Sequence, residues 1–186
     1  AVRKGPGRTN GTARCLAAEH GQPRHDRGAV THRSDDAAVH DLAGDRGDAL
    51  VFWDESGSKR RLSYSDLTSE VSRAVQALLA LGLRAGDRAA AFIPNLPETG
   101  MLALAALSQG MVWSSCSPDF GVDGVVERFG QIEPKVLFVA DGYLYNGKQH
   151  DVLERVRQIA EGLPSLRKVV VVPYLDARPD VSDIPK

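Results

Sequence analysis

From Ala49 onward the apolar positions fall into two rhythms that alternate along the chain. Ala49–Trp53 and Lys59–Leu62 are short β-prone runs separated by Ser56-Gly57-Ser58, which predicts a hairpin. Leu67, Val71, Ala74, Val75, Leu78 and Leu79 then recur at helical spacing on one face, with Ser65 placed to cap that helix and Gly82 to stop it. Arg88–Ile93 reads as a strand between the turn signals Gly86-Asp87 and Pro94-Asn95. Pro97 opens the next helix, where its missing N–H would have no partner anyway. That helix runs through Gln109 and is apolar nearly all round, which predicts packing on more than one side.

The alternation continues to the end. Strands are expected at Val112–Cys116, Val136–Ala140 and Lys168–Val172, and helices over about Val122–Ile132 and Val152–Ala160. Short apolar strands alternating with helices are the sequence form of an α/β fold, a mostly parallel sheet with helices on both faces. No internal repeat is visible.

The first 48 residues follow neither rhythm. All 11 aromatic residues, every isoleucine and both methionines lie after Asp48, whereas four of the five histidines (His20, His25, His32 and His40) lie before it. With Leu16 and Leu42 as its only leucines, this segment has too little apolar surface to offset the entropy of ordering its backbone. The chain is therefore expected to divide into a disordered or aberrant arm, 1–48, and a partial domain, 49–186. The arm histidines have irregular spacing and no Cys-x-x-Cys beside them, so they read as solvated side chains and no metal site is expected.

Charge and cysteine usage narrow the function. With 23 Lys+Arg against 24 Asp+Glu, nothing draws the chain toward nucleic acid or anionic lipid. No apolar run approaches the ~18 residues of a membrane span. Cys15 and Cys116 are too few and too far apart for a disulfide framework, which suits a reducing, cytoplasmic setting.

Candidate chemistry is sparse. Gly142-Tyr143-Leu144-Tyr145-Asn146-Gly147-Lys148 fits seven positions of the phosphate loop G-x-x-x-x-G-K-[ST], between an expected strand and an expected helix. The eighth residue, Gln149, lacks the hydroxyl such loops place on Mg²⁺, and Tyr143, Leu144 and Tyr145 bring bulk where the backbone must wrap phosphate. A P-loop-like nucleotide binder and a plain surface loop both stay open here. Cys116, flanked by Ser114, Ser115 and Ser117 at a strand end, reads as a buried structural thiol, because nothing links it to a base such as His150. Asp54 with Glu55, and Asp119 with Asp123, read as loop and capping carboxylates. No G-x-S-x-G or H-E-x-x-H pattern occurs.

Two stretches carry a family resemblance. Gly110-Met111-Val112-Trp113-Ser114-Ser115-Cys116-Ser117-Pro118-Asp119-Phe120-Gly121 resembles the acetoacetate-CoA ligase branch of the AMP-forming acyl-CoA synthetases. So does Arg128-Phe129-Gly130-Gln131-Ile132-Glu133-Pro134-Lys135-Val136-Leu137-Phe138, followed by Ala140-Asp141-Gly142-Tyr143. Pro94-Asn95-Leu96-Pro97-Glu98 is similar to the acetyl-CoA synthetases as well. The resemblance spans about Ala49–Val172 and implies part of the large N-terminal domain of an adenylate-forming enzyme.

The reaction it implies has two steps. ATP and acetoacetate give an acyl-adenylate and pyrophosphate, and the CoA thiol then displaces AMP. The full-length family enzyme uses ATP, Mg²⁺ and CoA. Its phosphate loop, Mg²⁺ carboxylate and mobile lysine lie downstream of this region, so the resemblance implies no catalytic residue here, no cofactor of the chain's own, and inactivity alone. A complementing C-terminal portion would be the partner it needs. What carries over is CoA contact: Tyr145 and Lys148 stand where acetyl-CoA synthetases place two arginines on the 3′-phosphorylated ADP end of CoA, and Ser114 and Ser115 replace a Gly-Gly pair near the pantetheine. Ser115, Tyr145 and Lys148 are thus the candidate CoA-binding residues. A non-catalytic interaction module that reuses the fold is the remaining alternative. The arm lacks the aromatic-rich stretch that precedes this domain in the family, as an out-of-frame reading or a lineage-specific tail would.

Overall fold

The structure is a computed structural model that describes residues 47–57 and 59–185. The expectations for the arm, including its four histidines and Cys15, fall outside the described residues except at Gly47 and Asp48.

The chain enters as an antiparallel hairpin, β1 (Asp48–Trp53) and β2 (Lys59–Ser63). Helix α1 (Tyr64–Ala80) follows directly. Its cap is Ser63, two residues before the expected Ser65. The Ser63 Oγ accepts the Asp66 N–H at 3.1 Å, and the Asp66 carboxylate accepts the Ser63 N–H at 3.0 Å. This reciprocal capping box needs an acid three residues on, and only Ser63 has it. Gly82 lies just past the helix at φ +78, as expected of the residue that stops it.

Four parallel strands form the main sheet: β3 (Arg88–Phe92), β4 (Val112–Cys116), β5 (Val136–Ala140) and β8 (Lys168–Val172), in the spatial order β4-β3-β5-β8. The connecting helices are α2 (Pro97–Ser108), α3 (Val122–Gly130) and α4 (Leu153–Gly162). Because side chains alternate across a strand, β3 and β5 feed two cores. Ala89, Ala91, Val136, Phe138 and Ala140 pack with Leu78 of α1 and Ala105 and Ala106 of α2. Ala90, Phe92, Leu137 and Val139 pack on the opposite face with Val125 and Phe129 of α3 and Val156, Ile159 and Ala160 of α4. Every residue of β5 is buried, as a strand covered on both faces must be. A side chain such as Phe92 or Leu137 contributes about 1.5–3 kcal/mol by that burial.

Helix α2 is more one-sided than its composition predicts. Met101, Ala105 and Ala106 are buried, whereas Leu104 and Leu107 stand about half exposed on the outer side. The largest difference from expectation lies after β5. Gly142–Asp151 is a second antiparallel hairpin, β6 (Gly142–Tyr145) and β7 (Lys148–Asp151), closed by Asn146 and Gly147.

Polar groups tie the ends of the central strands. Asp87, buried just before β3, takes the Lys135 ammonium at 2.5 Å and the Arg84 N–H at 2.9 Å. The neighbouring Arg88 guanidinium donates to the carbonyls of Ile132 and Glu133, in the turn where Glu133 adopts φ +48. The Lys135 hydrogen bond holds the Asp87 carboxyl below its ordinary range. Its stabilising contribution is therefore complete above the ordinary carboxyl value near 3.9 and fades as pH falls through the lower folded value. Replacing Asp87 with Asn should lower the unfolding free energy at pH 7 by about 1–3 kcal/mol, because Lys135 loses its counter-charge and one oxygen is left for the two donors that the carboxylate accepts. The deficit should shrink on acidification below about pH 3.9. Urea unfolding of both proteins at neutral and acid pH measures this.

Candidate functional site

All four parallel strands run toward one edge of the sheet, and the loops that leave their C-terminal ends surround a cleft of about 780 Å³. In parallel sheets this edge is where ligands bind, at the point where successive connections leave in opposite directions. Here that point is β3, with β4 on one side of it and β5 on the other.

Each wall has an identifiable origin. Ile93–Leu96 leaves β3, where the Ile93 N–H bonds the Cys116 carbonyl and the Thr99 hydroxyl bonds the Pro94 carbonyl. Ser115–Asp119 leaves β4, and two arginines hold this loop from behind. Arg155 donates to the Pro118 carbonyl at 2.7 Å and lies over the Phe92 ring, while Arg128 lies over Phe120 with Nη1 3.7 Å from the Cys116 sulfur. Cys116 is buried at the cleft floor, consistent with a structural thiol.

The third wall is the β1–β2 hairpin, from which Phe52, Trp53, Asp54 and Glu55 face the cleft. The fourth combines β6 with Tyr174, just after β8. Tyr174 makes an edge contact with Phe52 and donates its hydroxyl to Asp54 at 3.4 Å. Burial, then the charge of Asp54 and its hydrogen bond, then the charge of Glu55, push the phenol up to about 12. Tyr174 is thus a neutral donor at physiological pH.

Asp141 positions that wall. It is buried at the end of β5, and its carboxylate accepts the backbone N–H groups of Tyr174, Leu175 and Asp176 at 2.7–3.0 Å. Gly142 follows because nothing larger fits: a Cβ there would lie 2.3 Å from Leu175 Cδ1 and 2.5 Å from the His150 carbonyl oxygen.

The β6–β7 hairpin removes the phosphate-loop reading of Gly142–Lys148. Backbone N–H groups of Gly142–Tyr145 belong to a ladder in which Tyr143 faces His150 and Tyr145 faces Lys148, so they do not converge on a single anion. Lys148 opens a strand, not a helix, and the plain surface loop fails for the same reason. The signal was present in the sequence. Asn-Gly is the strongest short hairpin marker, since both central residues need positive φ, and Asn146 and Gly147 adopt +51 and +68.

The structure brings two of the three candidate CoA-binding residues to the cleft. Ser115 and Tyr145 line it, with Tyr145 65% exposed. Lys148 lies beside the cleft, on the same hairpin face as Tyr143, Tyr145 and His150, with the Tyr143 and His150 rings stacked at 4.9 Å. Its ammonium is exposed and has no ion-pair partner among the described residues. The sequence reading missed Glu55, Asp141 and Tyr174 as site-builders, since each acts on residues at least 33 positions away. Among the described residues no group of His, Cys, Asp and Glu is arranged to hold a metal, and no helix is long and apolar enough to cross a membrane.

This arrangement has relatives. Residues 29–184 match the family described as AMP-binding enzyme. The chain belongs to that family. Among its members, the acetoacetyl-coenzyme A synthetase of Rhizobium meliloti (strain 1021) is 54% identical over 128 residues, covering 69% of this chain and 19% of that protein. The acetoacetyl-CoA synthetase of Macaca fascicularis is 43% identical over 127 residues, covering 67% and 19%. The solved acetoacetyl-CoA synthetase from Streptomyces lividans superposes with a TM-score of 0.72 at 38% identity, covering 77% of this chain and 23% of that one. The chain thus spans about a fifth of the length of the AMP-binding enzymes it matches.

Replacing Asp141 with Asn should leave at least one of the three amides facing a donor instead of an acceptor, at about 1–3 kcal/mol for each buried group left unpaired. Hydrogen exchange measured residue by residue should show Tyr174, Leu175 and Asp176 losing protection before the β3–β5 ladder does. Equal protection in both proteins would show that Asp141 does not hold this wall.

Proposed function

We propose that this region forms the coenzyme A side of an acetoacetate-CoA ligase, in which ATP, acetoacetate and CoA yield AMP, pyrophosphate and acetoacetyl-CoA. The observation that carries the reading is the open cleft at the C-terminal strand ends, flanked by a hairpin that offers an aromatic face and a cation without an ion-pair partner among the described residues. CoA asks for such a combination. Its adenine stacks on a ring, its 3′-phosphate takes a cation, and its pantetheine needs an extended, partly apolar channel. Tyr145 supplies the ring and Lys148 the cation, while Ser115 lies where the channel passes the end of β4. At these positions Lys148 acts as a point charge, without the bidentate fork of an arginine.

The adenylation half-reaction requires groups this region does not supply. The sequence offers no Ser/Thr/Gly-rich loop ending in Lys and no Thr-Gly-Asp. ATP and Mg²⁺ belong to the remainder of the enzyme, as does the choice of acetoacetate over another short acid. That remainder would also extend the sheet. Strand β8 has a neighbour only on its β5 side among the described residues, and Val169–Val172 are only half-buried despite being apolar on both faces. We place the enzyme in the cytosol, where Cys116 stays reduced.

Two measurements test the reading. In a full-length ligase carrying this segment, Lys148→Ala should raise the KM for CoA about tenfold, the equivalent of one charge-assisted hydrogen bond to phosphate. Acetoacetate-dependent exchange between pyrophosphate and ATP should be unchanged. A KM for CoA that does not move rejects the contact. The isolated 186-residue chain should release no pyrophosphate above background from ATP, Mg²⁺ and acetoacetate. Turnover by the chain alone would overturn the division of labour.

A further inference from the structure

The turn of the β6–β7 hairpin already holds an anion, and that anion comes from the protein itself. Asn146 and Gly147 are the two central residues of the turn, so their N–H groups have no cross-strand partner in the ladder. With both residues at positive φ, the two N–H groups point outward together. Glu55, 91 residues earlier at the tip of the β1–β2 hairpin, reaches them with both carboxylate oxygens. Oε1 accepts the Asn146 N–H at 3.0 Å and Oε2 accepts the Gly147 N–H at 2.7 Å. A two-oxygen grip on adjacent amides is the geometry in which such a turn also receives two oxygens of a phosphate. Lys148 is the next residue, and it does not answer the Glu55 charge with an ion pair.

The position of this contact is informative. Glu55 and Tyr145 both line the cleft, from the β1–β2 and β6–β7 walls, so the contact joins those two walls. Glu55 is exposed, and exposed charge-assisted hydrogen bonds exchange readily with solvent and solutes. We propose that Glu55 is an internal latch. Its carboxylate occupies the anion seat of the Asn146–Gly147 turn and ties the β1–β2 hairpin to the β6–β7 hairpin until a phosphate group displaces it. The proposal rests on the CoA reading for the identity of that phosphate, but not for the latch itself. Displacement couples phosphate binding to release of that tie, because the two anions compete for the same two N–H groups. The latch therefore lowers affinity for the phosphate in exchange for holding the two hairpins together when none is bound.

Amide NMR of the 186-residue chain tests the latch directly, using inorganic phosphate as the first probe and CoA as the second. Glu55→Gln removes the charge and one of the two acceptors with little change of shape, so the Asn146 and Gly147 resonances should move upfield. Phosphate should then restore them with an affinity about tenfold tighter than for the unaltered chain, since the competing carboxylate is gone. Glu55→Asp keeps the charge but shortens the arm by one methylene. A latch predicts a gain there too, whereas simple charge repulsion predicts none. Unmoved amide resonances in Glu55→Gln, no gain in phosphate affinity, or no gain in Glu55→Asp would each overturn the latch. If phosphate affinity rises in both variants while CoA binds none of the three proteins, the latch stands and the CoA reading falls. If CoA binds all three alike and phosphate shows no gain, the CoA reading stands and the latch falls.

Discussion

The architecture depends on two adjacent strands, β3 and β5, whose side chains are apolar on both faces. Ala89–Phe92 and Val136–Ala140 are buried throughout, so their backbone groups lie in a region without water and must pair with each other and with β4 and β8. This requirement places helices on both faces and leaves the ends of these two strands, not their middles, for polar groups. At the N-terminal edge, Asp87 with Lys135, and Arg88 with the turn carbonyls at 132 and 133, close the ends off. At the C-terminal edge the loops open into the cleft. The polarity of the molecule, with a sealed end and a working end, follows from the central pair.

At the working end, carboxylates serve mainly as receptors for backbone N–H groups. Asp141 collects three amides of the segment after β8, and Glu55 collects two at the β6–β7 turn. They differ in exposure, and therefore in consequence. Asp141 is buried, where an unpaired amide is costly, so its contacts are structural and hold Tyr174 in the wall. Glu55 is exposed, where water or another anion can take its place, so the same kind of contact is exchangeable. Tyr174 is thus fixed in its wall by a buried anchor, whereas the tie between the β1–β2 and β6–β7 hairpins lies in contact with solvent.

The parallel core was legible in the sequence. Strands β3, β4, β5 and β8 and the four helices fell within a few residues of their expected positions, because a strand buried on both faces needs an unbroken apolar run and helix faces need their own period. Where the reading slipped, a local competition decided. Ser63 took the cap from Ser65 because Asp66 completes a capping box only with Ser63. Gly142–Lys148 suggested a phosphate loop because Gly and Lys fell at matching intervals, while Asn146-Gly147 within it called for a hairpin. The turn dipeptide prevailed because two consecutive positive φ angles leave the backbone little choice.

By itself, then, the sequence determined the alternation of strands and helices, the apolar character of the central strands, the balanced charge, and the motifs that tie the chain to acyl-CoA synthetases. Each is a property of neighbouring residues, or of a period that neighbours express. Only the tertiary structure decided that Ser115 and Tyr145 share a cleft, that Asp141 carries the segment at 174–176, and that Glu55 sits on a turn 91 residues away. Those contacts join loops from different crossovers. No local pattern encodes them, because the distance between two loops is set by the order of the strands they leave, and that order is chosen by how the buried faces pack.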